Sequence, residues 1–431
     1  MPREMKDSGV EWIGEIPTTW TTDRLQWHLE EVKVSNSPIQ SEQILSLTIE
    51  AGVIPYEEKG NQGNKSKENY EEYKLAYPNT LVVNSMNVII GAVGISKYFG
   101  CVSPVYYVFR ATPNTDLRYI YYLFTNVGFQ KEMRKYAKGI LEIRLRISAE
   151  DMLKRIIPKP SYKEQKAIAD FLDRRCAEID AVIEQTKATI EEYKKLKQSV
   201  ITEAVTKGTR CDRPMKDSGI EWIGEIPREW DVVRKLSYRC MSSISYGIVK
   251  LLEPDDENGV KVLRCSDVYE GGISLDNVRT VSQEVSNEYR RTLLTGGEII
   301  IAVRGSLGGC AVVPTELSGY NVAREIAVIP LDASLTNNKY AMYYLLSDAF
   351  IKYRDSHLLG SVYVGLNIEL LSACPLIEPS LKEQKEIADY LDQKCAEIDT
   401  LIEKKTALLA EMETYKKSLI FEYVTGKKEV C

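Results

Sequence analysis

The chain has 431 residues, 44% apolar and 27% charged, which is enough to bury ordinary globular cores and too long for one typical domain. Lys and Arg number 56 against 62 Asp and Glu, a net charge of −6, and the only histidines are His28 and His357. A uniformly basic coat and a His-rich metal site are therefore excluded.

The longest apolar stretches, around Val88–Ile95 and Ile299–Val303, fall short of the ~18 to 20 residues of a membrane span, so a soluble protein is expected. The opening MPREMKDSG has neither the apolar core nor the cleavage site of a secretory leader. Nine scattered cysteines without a C-x-x-C pair argue against disulfides and structural zinc, and for a reducing cytoplasm.

The first element is a marker that returns later. Met5–Pro17 reads MKDSGVEWIGEIP and Met215–Pro227 reads MKDSGIEWIGEIP, identical at twelve of thirteen positions with an offset of 210. The chain is thus a tandem duplication, and its fold must be read as two copies of one frame.

An insert, Thr18–Pro160, follows the first marker. Its β-branched and aromatic runs predict strands at Thr80–Val93 and Val102–Phe109. A helix is predicted over Leu117–Lys138, where YIYYLF forms a Tyr-rich face that reads as core rather than as a base-stacking surface. The insert holds 18 basic and 15 acidic residues and suits a phosphate surface. Two stretches are candidates for DNA contact. In Glu57–Asn69, Lys59, Lys65 and Lys67 could meet phosphate and Asn61 and Asn64 could meet base edges, unless the loop is a solvated hairpin tip. Further on, Lys131, Arg134, Lys135, Lys138, Arg144 and Arg146 crowd into sixteen residues with two acids, Glu132 and Glu142.

Lys163–Lys207 contains no Pro or Gly and would form a rod of about 68 Å at 1.5 Å per residue. Steps of four and three select Leu172, Cys176, Ile179, Ile183, Thr186, Ile190, Tyr193, Lys197, Val200 and Ala204, eight of them apolar. The opening 22 residues match Lys382–Glu403 at sixteen positions, with an offset of 219. The second helix gives Leu391, Cys395, Ile398, Ile402, Lys405, Leu409, Met412, Lys416, Leu419 and Tyr423, interrupted at the same two places. The core of the predicted seam is therefore Leu172, Ile179, Ile183, Ile190 and Val200 with Leu391, Ile398, Ile402, Leu409 and Leu419. Such a seam predicts that the two helices pair as an antiparallel coiled coil; the alternative is two amphipathic helices, each lying on its own domain. Cys176 and Cys395 read as small core residues, and the polar interruptions as register-setting groups or snorkelling stems.

The second insert, Arg228–Pro379, shows no comparable identity to the first. Strands are predicted at Lys261–Cys265, Glu298–Val303 and Glu325–Ile329, and a helix at Asn338–Ser356 around YAMYYLL. Arg213–Pro379 holds 17 basic and 22 acidic residues, yet Arg264, Arg290, Arg291, Arg304, Arg324, Lys352 and Arg354 could still make a local basic face. A repeated scaffold with varied contents suits a two-part reader better than a catalyst.

Catalytic motifs are missing. Gly426 is followed by Lys427 and Lys428 rather than by Lys and a hydroxyl, so no phosphate-cradling loop is formed. Arg304–Gly309 (RGSLGG) has the wrong spacing for a cofactor turn and reads as a strand-to-turn corner. No N-P-P-[FY] loop for a flipped base is present, and Pro254–Lys261 (PDDENGVK) lacks the acids of a metal-dependent nuclease. The chain is expected to carry no catalytic residue, metal or cofactor.

The paired MKDSG[VI]EWIGEIP markers and the KEQKxIADxLDxxCAEID helix openings resemble the specificity subunit of Type I restriction-modification enzymes, over essentially the whole chain. The resemblance implies an α+β fold: two α/β target-recognition domains joined by two long helices that pair within the chain, as a pseudo-two-fold tandem repeat. The corresponding boundaries are 1–160 and 213–379 for the recognition domains, and 161–212 and 380–431 for the helical regions. It implies that each recognition domain reads one half of a bipartite site on double-stranded DNA. It also implies partners: two modification subunits carrying S-adenosylmethionine and methylating adenine, and restriction subunits using ATP and Mg. A Type IIB-like system could use the same architecture. A rival of another class is a non-catalytic coiled-coil scaffold, which would lack salt-dependent DNA affinity.

Overall fold

The computed structural model describes residues 3–60, 69–139, 145–233, 235–249, 259–305, 308–358 and 365–430. It divides into two compact units, Met1–Lys187 with Ala407–Cys431, and Ala188–Thr406. The long helices are Tyr162–Lys207 and Leu381–Val424. Each unit takes the opening of one and the closing part of the other.

In the first unit, the start of the helix explains the repeated KEQ. Ser161 and Glu164 form a capping box: the Glu164 amide donates to Ser161 Oγ at 3.3 Å and the Ser161 amide to Glu164 Oε2 at 3.1 Å. Glu164 Oε1 accepts from the Trp20 indole at 3.0 Å and from Arg3 at 2.5 Å. Burial opposes ionisation of Glu164, but the bonds from Trp20, Ser161 and Arg3 prevail and hold its carboxyl below the usual range. Buried Gln165 donates to the Pro160 carbonyl at 3.1 Å and accepts the Asp116 amide at 3.0 Å, which seats helix Leu117–Thr125. That helix is bonded again through Tyr122 to Asp173 at 2.8 Å and through Tyr119 to the Val424 carbonyl at 3.0 Å.

The second unit repeats most of these bonds with matching residues. Glu383 accepts from the Trp230 indole at 2.9 Å and from Arg213 at 2.5 Å, and its amide donates to Ser380 Oγ at 3.3 Å. Gln384 donates to the Pro379 carbonyl at 2.9 Å and accepts the Asn337 amide at 2.7 Å. Tyr343 donates to Asp392 at 2.8 Å and Tyr340 to the Val205 carbonyl at 3.3 Å. The Tyr-rich faces are thus core, as their sequence implied.

The long helices pack together, and antiparallel, in both units. In the first, the Phe171 and Tyr423 rings lie 4.3 Å apart and Lys416 reaches Asp180 at 2.6 Å. In the second, Lys197 reaches Asp399 at 2.7 Å. Lys197 and Lys416 are one of the two polar interruptions in each seam, and each closes on the aspartate of the facing helix's repeated AEID. Of the seam residues, Leu172, Ile179, Ile183, Leu391, Ile398 and Leu419 are buried, while Ile190, Val200, Ile402 and Leu409 are half-buried. Near the end of the first helix the buried stripe turns by one residue: Ile201 and Val205 enter the core with Trp230, and Val200 sits at its edge.

Each insert builds a four-stranded antiparallel sheet of the same order. In the first unit it runs Leu29–Glu31, Tyr106–Ala111, Leu81–Asn84, Val93–Ile95; in the second, Ser245–Tyr246, Ile326–Ile329, Ile299–Ala302, Cys310–Val312. Four expected elements are divided. Thr80–Val93 is two strands around a turn at Val88–Ile90 that ends on Gly91 at φ +91°. Val102–Phe109 breaks at Pro104, which has no amide to donate, into Gly100–Val102 and Tyr106–Ala111. Asn126 ends one Tyr-rich helix and caps the next, Val127–Arg134, by accepting the Phe129 amide at 3.1 Å. Ser347 likewise separates Asn338–Leu346 from Asp348–Leu358.

Lys197→Asp should lower the thermal midpoint by setting like charges together, and Lys197→Asp with Asp399→Lys should recover most of the loss. A double-mutant cycle should give a coupling of about 0.5–1 kcal/mol, as expected for a partly exposed pair. Additive single effects would show that the pair contributes nothing to register.

Candidate nucleic-acid interface

The same end of each sheet gathers basic and aromatic side chains. In the first unit this is the end where Asn84 pairs with Tyr106. The following residue, Ser85, accepts the Ile147 amide at 3.1 Å, so the segment around Arg146 is laid beside the strand exit. Arg146 and Lys138 exchange backbone bonds at 2.8 and 2.9 Å, which sets their side chains on neighbouring strands of one bridge. The Arg146 guanidinium lies 3.8 Å from Met86 Sδ.

Lys74 joins this end and was not selected from the sequence. Its ammonium donates to the Tyr106 carbonyl at 2.7 Å and lies 5.1 Å from the Tyr107 ring centre. Burial lowers its pKa, with Glu31 opposing. The Tyr107 hydroxyl in turn donates to the Ile147 carbonyl at 3.4 Å, which links Lys74 to the Arg146 segment. No spacing in the sequence separates Lys74 from other surface lysines; only the strand pairing brings it here.

In the second unit the corresponding end is where Ala302 pairs with Ile326. Val303 accepts the Leu366 amide at 2.9 Å, the counterpart of the bond between Ile147 and Ser85. Arg304 lies 5.9 Å from the ring centre of Tyr246, whose hydroxyl donates to the Leu366 carbonyl at 3.1 Å. The Arg324 amide donates to the Ile248 carbonyl at 2.9 Å, and the turn Arg290–Thr292 lies alongside Ser245–Tyr246. Buried Asn321 fixes that turn: it accepts from Thr292 Oγ1 at 2.7 Å and donates to Ser286 Oγ at 3.1 Å. Arg290, Arg291, Arg304 and Arg324 are exposed around segment 245–249, and Arg324 lies 3.2 Å from the Glu325 carboxylate while its side chain stays half exposed.

The other expected DNA-facing residues divide. Lys135 is held by Glu11 at 2.7 Å and by Glu132 at 3.0 Å, bonds that raise its pKa. Arg264 grips buried Asp267 through two side-chain bonds and donates to the Asn277 carbonyl at 3.0 Å, so it stiffens a turn. Arg354 pairs with Asp355 at 2.8 Å and is largely covered. Lys131 and Arg134 sit on helix Val127–Arg134, Lys352 is exposed on Asp348–Leu358, and Lys59 lies over the Tyr56 ring at 5.0 Å. Asn61, Asn64, Lys65, Lys67 and Arg144 lie outside the described residues.

Arginine and lysine next to an aromatic ring can meet phosphate, stack on a base or donate to a base edge in the major groove. Among the described residues no group of three or more His, Cys, Asp or Glu is placed to hold a metal, and no helix is long and apolar enough to cross a membrane.

Comparison with known proteins agrees with this organisation. The Type I restriction modification DNA specificity domain matches twice, over residues 31–192 and 247–411. The chain is 24% identical over 292 residues to the Type I restriction enzyme EcoBI specificity subunit of Escherichia coli, covering 65% of this chain and 60% of that protein. It is 27% identical over 278 residues to the MjaVIII specificity subunit of Methanocaldococcus jannaschii, covering 64% and 62%. The chain thus spans about three fifths of these relatives' length. A solved structure from work on complex assembly and conformational transition of the type I R-M system shares the fold, with a TM-score of 0.71 at 15% identity, over 96% of this chain and 99% of that one. With two matches that together cover most of its length, the chain belongs to the Type I restriction modification DNA specificity family.

Proposed function

We propose that this chain is the DNA specificity subunit of a Type I restriction-modification enzyme, with each unit reading one half of a bipartite site. The observation that carries this reading is the repeated sheet whose same end bears basic and aromatic residues of different identity in the two units: Lys74, Tyr107, Lys138 and Arg146 in one, Tyr246, Arg290, Arg304 and Arg324 in the other. A common scaffold with unlike contact groups is what reading two unlike half-sites requires. Chemistry falls to partners: two modification subunits bind S-adenosylmethionine and methylate adenine, and restriction subunits use ATP and Mg. The chain itself is non-catalytic and works in the cytoplasm of a prokaryote.

Replacing Thr18–Pro160 with the insert of a relative tests the reading. Mapping methylated sites in cells carrying the intact system should show one half-site changed and the other retained. A change in both halves, or in neither, overturns the assignment of one half-site to each unit.

Arg304→Ala with Arg324→Ala should weaken DNA binding by the assembled enzyme and reduce the slope of log affinity against log salt by about one for each phosphate that is no longer neutralised. Arg264→Ala should leave that slope unchanged and lower stability by about 1–3 kcal/mol, because buried Asp267 loses its cation and keeps only the bonds from the residue-264 amide and Ser266. An unchanged slope in the Arg304 and Arg324 variant would place the DNA surface elsewhere.

A further inference from the structure

Three cations meet at the basic end of the first unit's sheet, and they are held in two ways. Lys138 and Arg146 face each other across one bridge, with exposed side chains. Lys74 is half-covered and leaves from the middle of a second group of strands. Its strand, Lys74–Ala76, pairs with Gly100–Val102 on one side, where Val102 stands opposite Lys74, and Lys74 bridges to Ser35 on the other. The backbone at Lys74 therefore cannot shift without breaking both pairings.

The ammonium is fixed as well, by its bond to the Tyr106 carbonyl at 2.7 Å and by the Tyr107 ring 5.1 Å away. Those two anchors are themselves tied down. The Tyr106 amide donates to the Ser103 carbonyl at 2.9 Å, both tyrosines lie on the strand that pairs with Leu81–Asn84, and the Tyr107 hydroxyl is bonded to the Ile147 carbonyl. Among the described residues the Lys74 ammonium makes this one hydrogen bond, so two of its three N–H donors stay free, and in set directions.

A lysine that neutralises phosphate needs no such mount, because a mobile ammonium in water meets the backbone charge from any direction. Lys74 instead gives up part of its water: burial and the neighbouring Lys33 work against its charge, with Glu31 opposing them. Two aimed donors at a half-covered place call for two fixed acceptors side by side. In the major groove guanine presents O6 and N7 in that way, whereas adenine sets a donor beside its N7, cytosine offers a donor, and thymine one acceptor beside a methyl group. We propose that Lys74 reads a guanine of the first unit's half-site, its two free N–H groups donating to O6 and N7, while exposed Lys138 and Arg146 meet the phosphates around it. This inference rests on the reading given under Proposed function.

The test uses the assembled enzyme and the half-site that follows the Thr18–Pro160 insert. Methylation mapping should show a fixed G·C pair in that half-site. Lys74→Met, which keeps the stem over Tyr107, should relax that one position and leave the rest of the half-site, and all of the second half-site, as they were. A duplex with 7-deazaguanine at that position lacks the N7 acceptor and should bind the unaltered enzyme about fivefold or more weakly, while the Lys74→Met enzyme should not distinguish it from guanine. The slope of log affinity against log salt should fall by about one in Lys138→Met or Arg146→Met and by clearly less in Lys74→Met. If Lys74→Met does not fold, 7-deazaguanine placed at each guanine of the first half-site decides with the unaltered enzyme, and the absence of a sensitive guanine overturns the proposal. A half-site read unchanged by Lys74→Met also overturns it while leaving the specificity-subunit reading standing. So does an equal loss of affinity for every sequence with the slope lowered by one, which makes Lys74 a phosphate contact, or a lower thermal midpoint with specificity kept, which makes it a strand tie. An unaltered enzyme that methylates no bipartite site overturns the reading itself, and the base assignment with it.

Discussion

Everything in each unit hangs on one carboxylate, Glu164 or Glu383, at the third residue of a long helix. It lies at the positive end of the helix dipole and accepts from a tryptophan indole and an arginine that flank the marker, and in the first unit it also accepts the Ser161 amide. Trp20 and Glu164 are 144 residues apart in sequence, Trp230 and Glu383 are 153 apart, and all but the first residues of each insert lie between them. The bond therefore clamps both ends of each insert. In the second unit the Arg213 and Glu383 side chains are each 9% exposed, so losing Arg213 would leave a covered carboxylate without its cation, while Arg213 is paired with Glu229 as well, at 2.5 Å. The same tryptophans also receive the closing end of the other long helix. Gly426, at φ +74°, lies so close to Pro17 and Trp20 that a Cβ would fall 2.5 Å from the proline ring, and Gly208, at φ +80°, packs on Trp230 in the same way.

A clamped insert can change its interior without loosening the frame, provided that its sheet keeps order and register. Both sheets do so with little sequence in common. What differs is the group each places at the strand exit, a lysine over Tyr107 in one and an arginine over Tyr246 in the other. The acidic balance of the second insert does not weaken this, because a nucleic acid meets the local cluster rather than the net charge.

The frame was legible in the sequence because its physics is periodic and local. A 4-3 seam, a repeated marker and a Tyr-rich helix each carry their meaning within a few residues. The basic and aromatic clusters at the sheet ends were not legible, since Lys74, Tyr107 and Tyr246 become neighbours of Arg146, Arg304 and Leu366 only through strand pairing between distant segments. Counting basic residues selects Arg264, Lys135 and Arg354 beside Arg304 and Arg324, because composition cannot tell an arginine that neutralises an internal aspartate, as Arg264 does, or a cation held by neighbouring acids, as Lys135 is, from one whose guanidinium lies over a ring at a strand exit, as Arg304 does. Pro104 and Asn126, which divide expected elements, are single residues whose effect depends on the backbone bond each withholds or supplies.

The lysines in the helix seams show why an apolar stripe is interrupted at matched places. An all-apolar 4-3 seam can slide by a heptad and still bury its stripe, so it defines pairing better than register. Sliding the second unit's pair by seven residues would set Lys197 against Thr406, or against Asp392, which already accepts from Tyr343 and Lys339. In the first unit the same slip would set Lys416 against Lys187, or against Asp173, which already accepts from Tyr122 and Arg118. Only the observed register gives each seam lysine an aspartate without taking one from a Tyr-rich helix. Two exposed or half-covered ion pairs add little stability, yet they make every neighbouring register worse.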